Sequence, residues 1–287
     1  GCTYRDVVYE NLNVTIIKQN TDQPNFQPLP SDGCLIFQTS GTTGPSKLVV
    51  QPLSSLLATA NDIANVCQLN SSVYEIVYSP PTSAFFALRV ISIFLFNGKL
   101  LSLNDFNFPS FISALNHADV NSLSMDTTSA LLVFPKVSDL IPRIYSRISW
   151  LKLSSSNPSI KFKKLLLNLF PYARIILGYG LSEYMRAAYL CLNDRKIPLS
   201  DNTNDCVGHP FPNTDIAIYD AVSADFVAHG KGEICVKGAH LAATYLGNDS
   251  LWKRRLFKGY YRTGDLGEYN SSSNILNVFG RLDDICN

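Results

Sequence analysis

Between residues 34 and 177, short apolar β-prone runs alternate with longer stretches of helical periodicity, and this alternation confines the chain to a layered α/β core. Strands are expected at 34–38, 73–78, 99–103, near Leu123, at 150–153 and at 173–177, the last running into Gly178-Tyr179-Gly180. Helices are expected at 53–69, 84–96, 109–117, 127–134 and 160–170. Ahead of this core lie a short apolar run, Val14-Thr15-Ile16-Ile17, and a proline-rich connector at 24–30. After about Asp205 the texture changes. Turn residues recur (Gly208, Pro210, Pro212-Asn213, Gly230, Gly232, Asn270) between short β-branched and aromatic runs. The expected fold class is therefore α/β: a core of mixed sheets flanked by helices at 1–204, followed by a smaller, mostly β subdomain at 205–287.

Composition narrows the function. Hydrophobic residues make up 46% of the 287 positions and charged residues 16%, the balance of a globular chain with a sizeable core. A net charge of +1 gives no footprint for nucleic acid or an acidic membrane. The greasiest stretch, 84–96, is interrupted by Arg89 and is too short to span a bilayer, so it reads as a buried helix. The first residues lack the apolar core of a signal peptide. Seven cysteines without a Cys-x-x-Cys pair suit a reducing cytosol, and cytoplasmic location is the expectation. The four histidines (117, 209, 229, 240) lack metal-ligand spacing, which argues against zinc.

The segment Thr39-Ser40-Gly41-Thr42-Thr43-Gly44-Pro45-Ser46-Lys47 concentrates hydroxyls, glycines and one lysine directly after an apolar strand. Glycines let a backbone approach an anion closely, successive N–H groups and hydroxyls offer donors to phosphate oxygens, and Lys47 adds charge. An ordinary polar turn has the same composition. A Walker loop is excluded, because the position five on from Gly41 is Ser46 and not glycine. A dinucleotide fingerprint at Gly178-Tyr179-Gly180 fails likewise, at Glu183.

The 39–47 loop resembles the Thr-Ser-Gly-Thr-Thr-Gly-x-x-Lys signature of the adenylate-forming superfamily, which comprises acyl- and aryl-CoA synthetases, peptide-synthetase adenylation domains and firefly-type luciferases. Further segments match in the family's order. Gly178-Tyr179-Gly180-Leu181-Ser182-Glu183 resembles its Tyr-Gly-x-Ser/Thr-Glu motif, Gly232-Glu233-Ile234 a scaffold strand, Tyr261-Arg262-Thr263-Gly264-Asp265-Leu266 its Tyr-Arg/Lys-Thr-Gly-Asp-Leu motif, and Gly280-Arg281-Leu282-Asp283-Asp284 its hinge. The resemblance implies ATP and Mg²⁺ as cofactors. It places Thr39, Ser40, Gly41, Thr42, Thr43, Gly44 and Lys47 on the phosphates, Tyr179 and Gly180 at adenine, Ser182 at the α-phosphate and Glu183 on the metal. Asp265 would hold the ribose hydroxyls, Arg281 the ribose or phosphates, and Asp283 would be the pivot. Ser182, Glu183 and Lys47 would carry catalysis. The implied reaction joins a carboxylic acid to ATP, giving an acyl-adenylate and pyrophosphate, with later transfer to a thiol of CoA or a carrier protein.

The chain also departs from the family pattern. The family's small carboxy-terminal domain, with its adenylation lysine, would fall beyond Asn287, and loss of one such stabiliser typically costs about 10²–10³ in rate. Few residues precede the loop, so an exposed sheet edge is expected, covered by a partner chain, a dimer or residues 1–33. A second reading follows: a non-catalytic nucleotide-binding module, or one half of a split ligase. In the acid pocket, aligning Pro81, Leu88 and Gly98 with the family segment puts Ala84, or with a one-residue slip Ser83 or Phe85, where a histidine or aromatic is common. Ser155 and Ser156 stand in place of glycines and are expected to narrow the pocket, with Gly178 beside them. No acidic residue between 79 and 88 matches the aspartate that holds an α-amino group, so an aryl or short acyl acid is expected.

Overall fold

A computed structural model describes residues 3–9, 12–18, 29–39, 46–103, 108–116, 119–137, 145–194, 197, 199–200, 203–227 and 230–285. Parallel strands need crossovers, and the alternating pattern supplies them. Strands β5 (Tyr74–Tyr78), β6 (Lys99–Leu103), β7 (Ser122–Asp126), β8 (Trp150–Ser154) and β9 (Arg174–Leu181) pair in parallel in the order β6-β5-β7-β8-β9. Between them run α2 (Ala84–Leu95), α3 (Phe108–Asn116), α4 (Thr127–Val137) and α5 (Ile160–Leu169), while α1 (Leu53–Cys67) precedes the first of these strands. One buried cluster, containing Phe111, Val133 and Leu166, packs α3, α4 and α5 on this sheet. A second, containing Leu56, Ile63 and Leu88, packs α1 and α2. The layered α/β class read from the sequence is the observed one.

Beyond β9 the sheet continues without a break but turns antiparallel. Its order runs through β10 (Tyr184–Cys191), β11 (Cys206–Pro210), β18 (Ile275–Arg281), β17 (Tyr260–Asn270), β14 (Lys231–Gly238), β12 (Thr214–Asp220) and β13 (Asp225–Val227), with β16 (Leu256–Phe257) on β17. The short helices α6 (Asp249–Arg255) and α7 (Leu282–Ile285) flank this half. A small sheet of β3 (Cys34–Gln38), β4 (Leu48–Pro52) and β15 (Thr244–Tyr245) closes over it through a third core that includes Val49, Tyr184, Tyr245, Trp252 and Tyr261. Among the described residues, β1 (Thr3–Tyr9) and β2 (Leu12–Lys18) pair only with each other. Among the described residues β3 pairs only with β4 and is an edge strand, and Leu35 in β3 and Leu48 in β4 are each 40% exposed.

Two strands differ from expectation. β4 follows the loop so closely, and ends so soon at the start of α1, that its five residues read as a lead into the helix. β10 is buried on both faces, so it lacks the alternation that announces a strand; its hairpin with β9 holds Glu183 in the turn. Helix α4 runs on through Pro135, beyond its expected end. No helix among the described residues is long and apolar enough to cross a membrane.

Candidate functional site

The motif residues converge where the β9–β10 hairpin meets the β17–β18 ladder. Asp265 lies opposite Arg281 in that ladder, and the Arg281 Nη1 donates to Asp265 Oδ1 at 2.8 Å. The Tyr179 hydroxyl donates to the other carboxylate oxygen, Oδ2, at 2.6 Å. Burial, then the Asp265 charge, hold the Tyr179 phenol well above its usual range. Burial alone would lower the Arg281 guanidinium, but Asp265 outweighs it and the net shift is upward. An ionised carboxylate offers about four lone-pair sites, so Asp265 retains acceptor capacity for further hydroxyl donors.

The turn before Asp265 is fixed from below. Glu233 Oε1 accepts from Gly264 N at 2.9 Å and Glu233 Oε2 from Arg262 Nε at 2.7 Å, while Thr263 Oγ1 donates to Ile234 O at 2.8 Å. Gly264 holds φ at +79°, and a Cβ there would come within 3.2 Å of Arg281 Nη2. Glycine thus leaves room for the guanidinium. At Gly180 a Cβ would meet Met185 O at 2.3 Å, which makes this glycine obligatory for the hairpin.

Glu183 is buried at 7% exposure, and its Oε1 accepts from the Tyr245 hydroxyl at 2.6 Å. That hydroxyl also lies 2.7 Å from the Tyr261 hydroxyl. Burial and then the Glu183 charge raise both phenols far above their usual value. Glu183 also adds to the field that raises Arg281, which links the two halves of the site. Among the described residues the second oxygen of Glu183 has no hydrogen-bond partner, and no cluster of three metal-ligating side chains occurs. One hard carboxylate oxygen suits Mg²⁺, which keeps several waters and takes few protein ligands.

The 39–47 loop joins β3 to β4. Its base is closed by Thr39 N donating to Lys47 O at 2.9 Å and Lys47 N to Thr39 Oγ1 at 3.2 Å. Ser40, Gly41, Thr42, Thr43 and Gly44 lie outside the described residues. The Lys47 ammonium sits 5.4 Å from the centroid of the Tyr245 ring, the same phenol that reaches Glu183. From β4, Gln51 Nε2 donates to Ser182 O at 2.8 Å, and so ties the loop's strand to the motif turn. Gln51 and Tyr245 are structural members of the site that sequence reasoning left without a role, and Tyr261 entered it only as the first residue of its motif. The signal of Gln51, a polar group inside an apolar run, is weak.

The expected acid-pocket residues divide. Phe85 and Gly178 line a small cavity under α1 and α2. Ser83 instead caps α2, accepting from Phe86 N at 3.0 Å, with its hydroxyl 2.7 Å from that of Ser79. Ala84 packs into the α1–α2 core. Ser155 and Ser156 are exposed and do not reach the cavity; Ser155 holds φ at +90°, a value that favours glycine. Asp283 is exposed in α7. The same cavity is lined by Arg89, Lys152 and Arg186, which the sequence reading left unassigned. Arg89 and Lys152 share the buried carboxylate Glu75, through Arg89 Nε at 2.7 Å and Nη2 at 3.0 Å, and Lys152 Nζ. Ser122 Oγ adds a hydrogen bond to Glu75 of 2.6 Å. Burial alone would push the Glu75 carboxyl up, but the two cations overcome this and hold it well below the usual carboxylate range.

Comparison with known proteins gives a consistent picture. Residues 3–246 match the family model described as AMP-binding enzyme. The chain is 26% identical to nonribosomal peptide synthetase 7 of Aspergillus fumigatus over 297 aligned positions, covering 99% of this chain and 12% of that protein. It is 24% identical to fatty acyl-CoA synthetase B of Dictyostelium discoideum, covering 89% and 44%. Among solved structures it resembles O-succinylbenzoate coenzyme A synthetase from Bacillus subtilis in complex with ATP and magnesium ion, with a TM-score of 0.75 at 19% identity, covering 87% of this chain and 50% of that one. That likeness is one of fold. The chain spans less than half the length of either sequence relative.

Proposed function

The chain belongs to the AMP-binding enzyme family of the adenylate-forming superfamily, and on that premise we propose that it binds ATP with Mg²⁺ and activates a carboxylic acid as its adenylate. The observation that carries this reading is the convergence of Tyr179, Asp265 and Arg281 on one side of the β9–β10 turn and of Glu183, Tyr245 and Lys47 on the other. Such a site takes a nucleoside at one end and its phosphates at the other.

In the proposed step a carboxylate oxygen of the acid attacks the α-phosphorus in line, the bond to the bridging oxygen breaks, and pyrophosphate departs with the electron pair. The protein then acts by positioning and by neutralising charge. Tyr179 offers its ring face to adenine, Asp265 accepts from ribose hydroxyls, and Arg281 faces the ribose and α-phosphate. Glu183 would hold the metal, which when bound would supply positive charge to the phosphate oxygens. Ser182 donates to the α-phosphate. Lys47 and the hydroxyls of the 39–47 loop receive the β- and γ-phosphates. Transfer of the acyl group to a thiol of CoA or of a carrier protein completes the proposed cycle, in keeping with the acyl-CoA synthetase and peptide synthetase among the relatives. A cytoplasmic location suits both acceptors.

The test is acid-dependent exchange of labelled pyrophosphate into ATP, measured over a panel of acids with the family's carboxy-terminal domain supplied to the chain. ATP at a hundredfold excess over its Kd is expected to stabilise the fold by about 2.7 kcal/mol. Glu183→Gln, which keeps the oxygen that accepts from Tyr245, is expected to lower exchange by roughly 10²–10³ while leaving the fold intact. Stabilisation by ATP with no exchange on any acid would favour a nucleotide-binding module. Unchanged exchange in Glu183→Gln would remove the metal from Glu183.

A further inference from the structure

A cavity of about 20 Å³ lies on the α1–α2 side of the sheet, immediately beside the nucleotide motif. Phe85, Leu153 and Phe211 wall it, Gly178 borders it from β9, and Lys152 and Arg186 bring cations to it. A side chain at Gly178 would begin 3.6 Å from Arg186 Nε, so the glycine leaves one edge of the guanidinium uncovered. Gly178 directly precedes Tyr179, and Arg186 follows Glu183 by three residues in the same hairpin. The cavity and the nucleotide site are thus built from one piece of chain.

The charge in this interior does not balance. Arg89 and Lys152 share the single carboxylate of Glu75. Arg186 is only 8% exposed and, among the described residues, has no carboxylate partner. Its Nη1 donates to Met185 O at 2.8 Å, and its guanidinium lies 5.6 Å from the Phe85 ring centroid. Burial, then the like charge of Arg89, lower it to about 10, which still leaves it a cation at neutral pH. The His240 Nδ1 donates to Arg186 O at 2.8 Å and its Nε2 lies 2.9 Å from Asp62 Oδ2, so the backbone that carries Arg186 is held from α1. A buried, fixed cation without a counter-charge is an incomplete arrangement, and an anion completes it.

We propose that the acid activated at this site carries a second carboxylate, and that Arg186, supported by Lys152, is the residue that selects it. This rests on reading the adjoining site as an acid-activating one. The reacting carboxylate faces the α-phosphate beside Tyr179 and Ser182, and the second carboxylate enters the cavity and forms charge-assisted hydrogen bonds with the guanidinium. A volume of about 20 Å³ takes one small polar group and not an alkyl chain, and because Gly178, which borders the cavity, directly precedes Tyr179, the two carboxylates lie close together, as in a short aliphatic or aryl dicarboxylic acid.

The experiment is calorimetric titration of the chain, with AMP present and absent, using matched acids: succinate against butyrate, and phthalate against benzoate. At least one dicarboxylate is expected to bind roughly 10- to 100-fold more tightly than its monocarboxylate partner. Arg186→Met is expected to abolish that preference and Arg186→Lys to retain part of it, with AMP affinity unchanged in both. Equal or tighter binding of both monocarboxylates, or a preference that survives Arg186→Met, overturns the proposal. So does occupation by a free inorganic anion, seen as chloride or phosphate stabilising the chain while neither acid pair is discriminated. Failure of AMP to bind the unaltered chain refutes the acid-activating reading instead, and the titrations without nucleotide still decide whether Arg186 selects a dicarboxylate.

Discussion

Replacing Glu75 with glutamine removes the one carboxylate that, among the described residues, pairs with Arg89 and Lys152 beneath the cavity. Glutamine nearly preserves the shape but replaces one oxygen with an N–H₂ donor, which then faces groups that are themselves donors. The side chains of Glu75 and Arg89 are 0% and 2% exposed, so water cannot replace the lost partner. Leaving such cations unpaired costs about 3–5 kcal/mol. At about 2–4 °C per kcal/mol for chains of comparable size, the midpoint of thermal unfolding falls by roughly 10 °C. Denaturant unfolding followed by circular dichroism measures the free energy directly. A cycle with Arg89→Met separates pairing from packing, since the double variant Glu75→Gln, Arg89→Met is expected to lose less than the sum of the singles by about 1–3 kcal/mol. A loss below 1 kcal/mol for Glu75→Gln, or additivity of the two changes, would refute the view that this carboxylate neutralises the buried cations.

The same group sets a pH dependence. Its folded pKa is depressed below the ordinary unfolded value of about 4.3, so its stabilisation is complete above that value and is lost as pH falls towards the folded pKa. Unfolding at pH 3 and pH 6 is expected to show a steeper acid loss for the native chain than for Glu75→Gln; parallel profiles would contradict this. Asp265→Asn weakens a carboxylate that accepts from both Tyr179 and Arg281, and is expected to reduce ATP-induced stabilisation by about 1.5–3 kcal/mol. Thermal shift with and without ATP measures it, and an undiminished shift would take Asp265 out of the nucleotide site.

The parts of this molecule that follow a period were visible in its residues. The helices at Leu53–Cys67, Ala84–Leu95 and Ile160–Leu169 lie within two residues of expectation, and Cys34–Gln38 and Lys99–Leu103 coincide with it. Each shows a hydrophobic face or a short apolar run bounded by turn residues. Tyr184–Cys191 did not, because a strand packed on both faces carries no alternation. The motif segments announced a shared chemistry, but their convergence depends on the continuous sheet that brings Arg281 across from Asp265. Arg89, Lys152 and Arg186 were legible only as charges inside apolar runs. Which of them are paired and which is left over is a matter of three-dimensional distance, and no linear pattern encodes it.

The phenols behind Glu183 equip the chain with an intrinsic optical reporter. Trp252, one of only two tryptophans, stacks on Tyr261 with ring centroids 5.0 Å apart and meets Tyr245 edge-on at 5.2 Å. Both hydroxyls belong to the chain of hydrogen bonds that ends on the Glu183 carboxylate. A change of charge at that carboxylate therefore reaches the indole through a single intervening ring, and its emission is expected to follow occupancy of the site with no label attached.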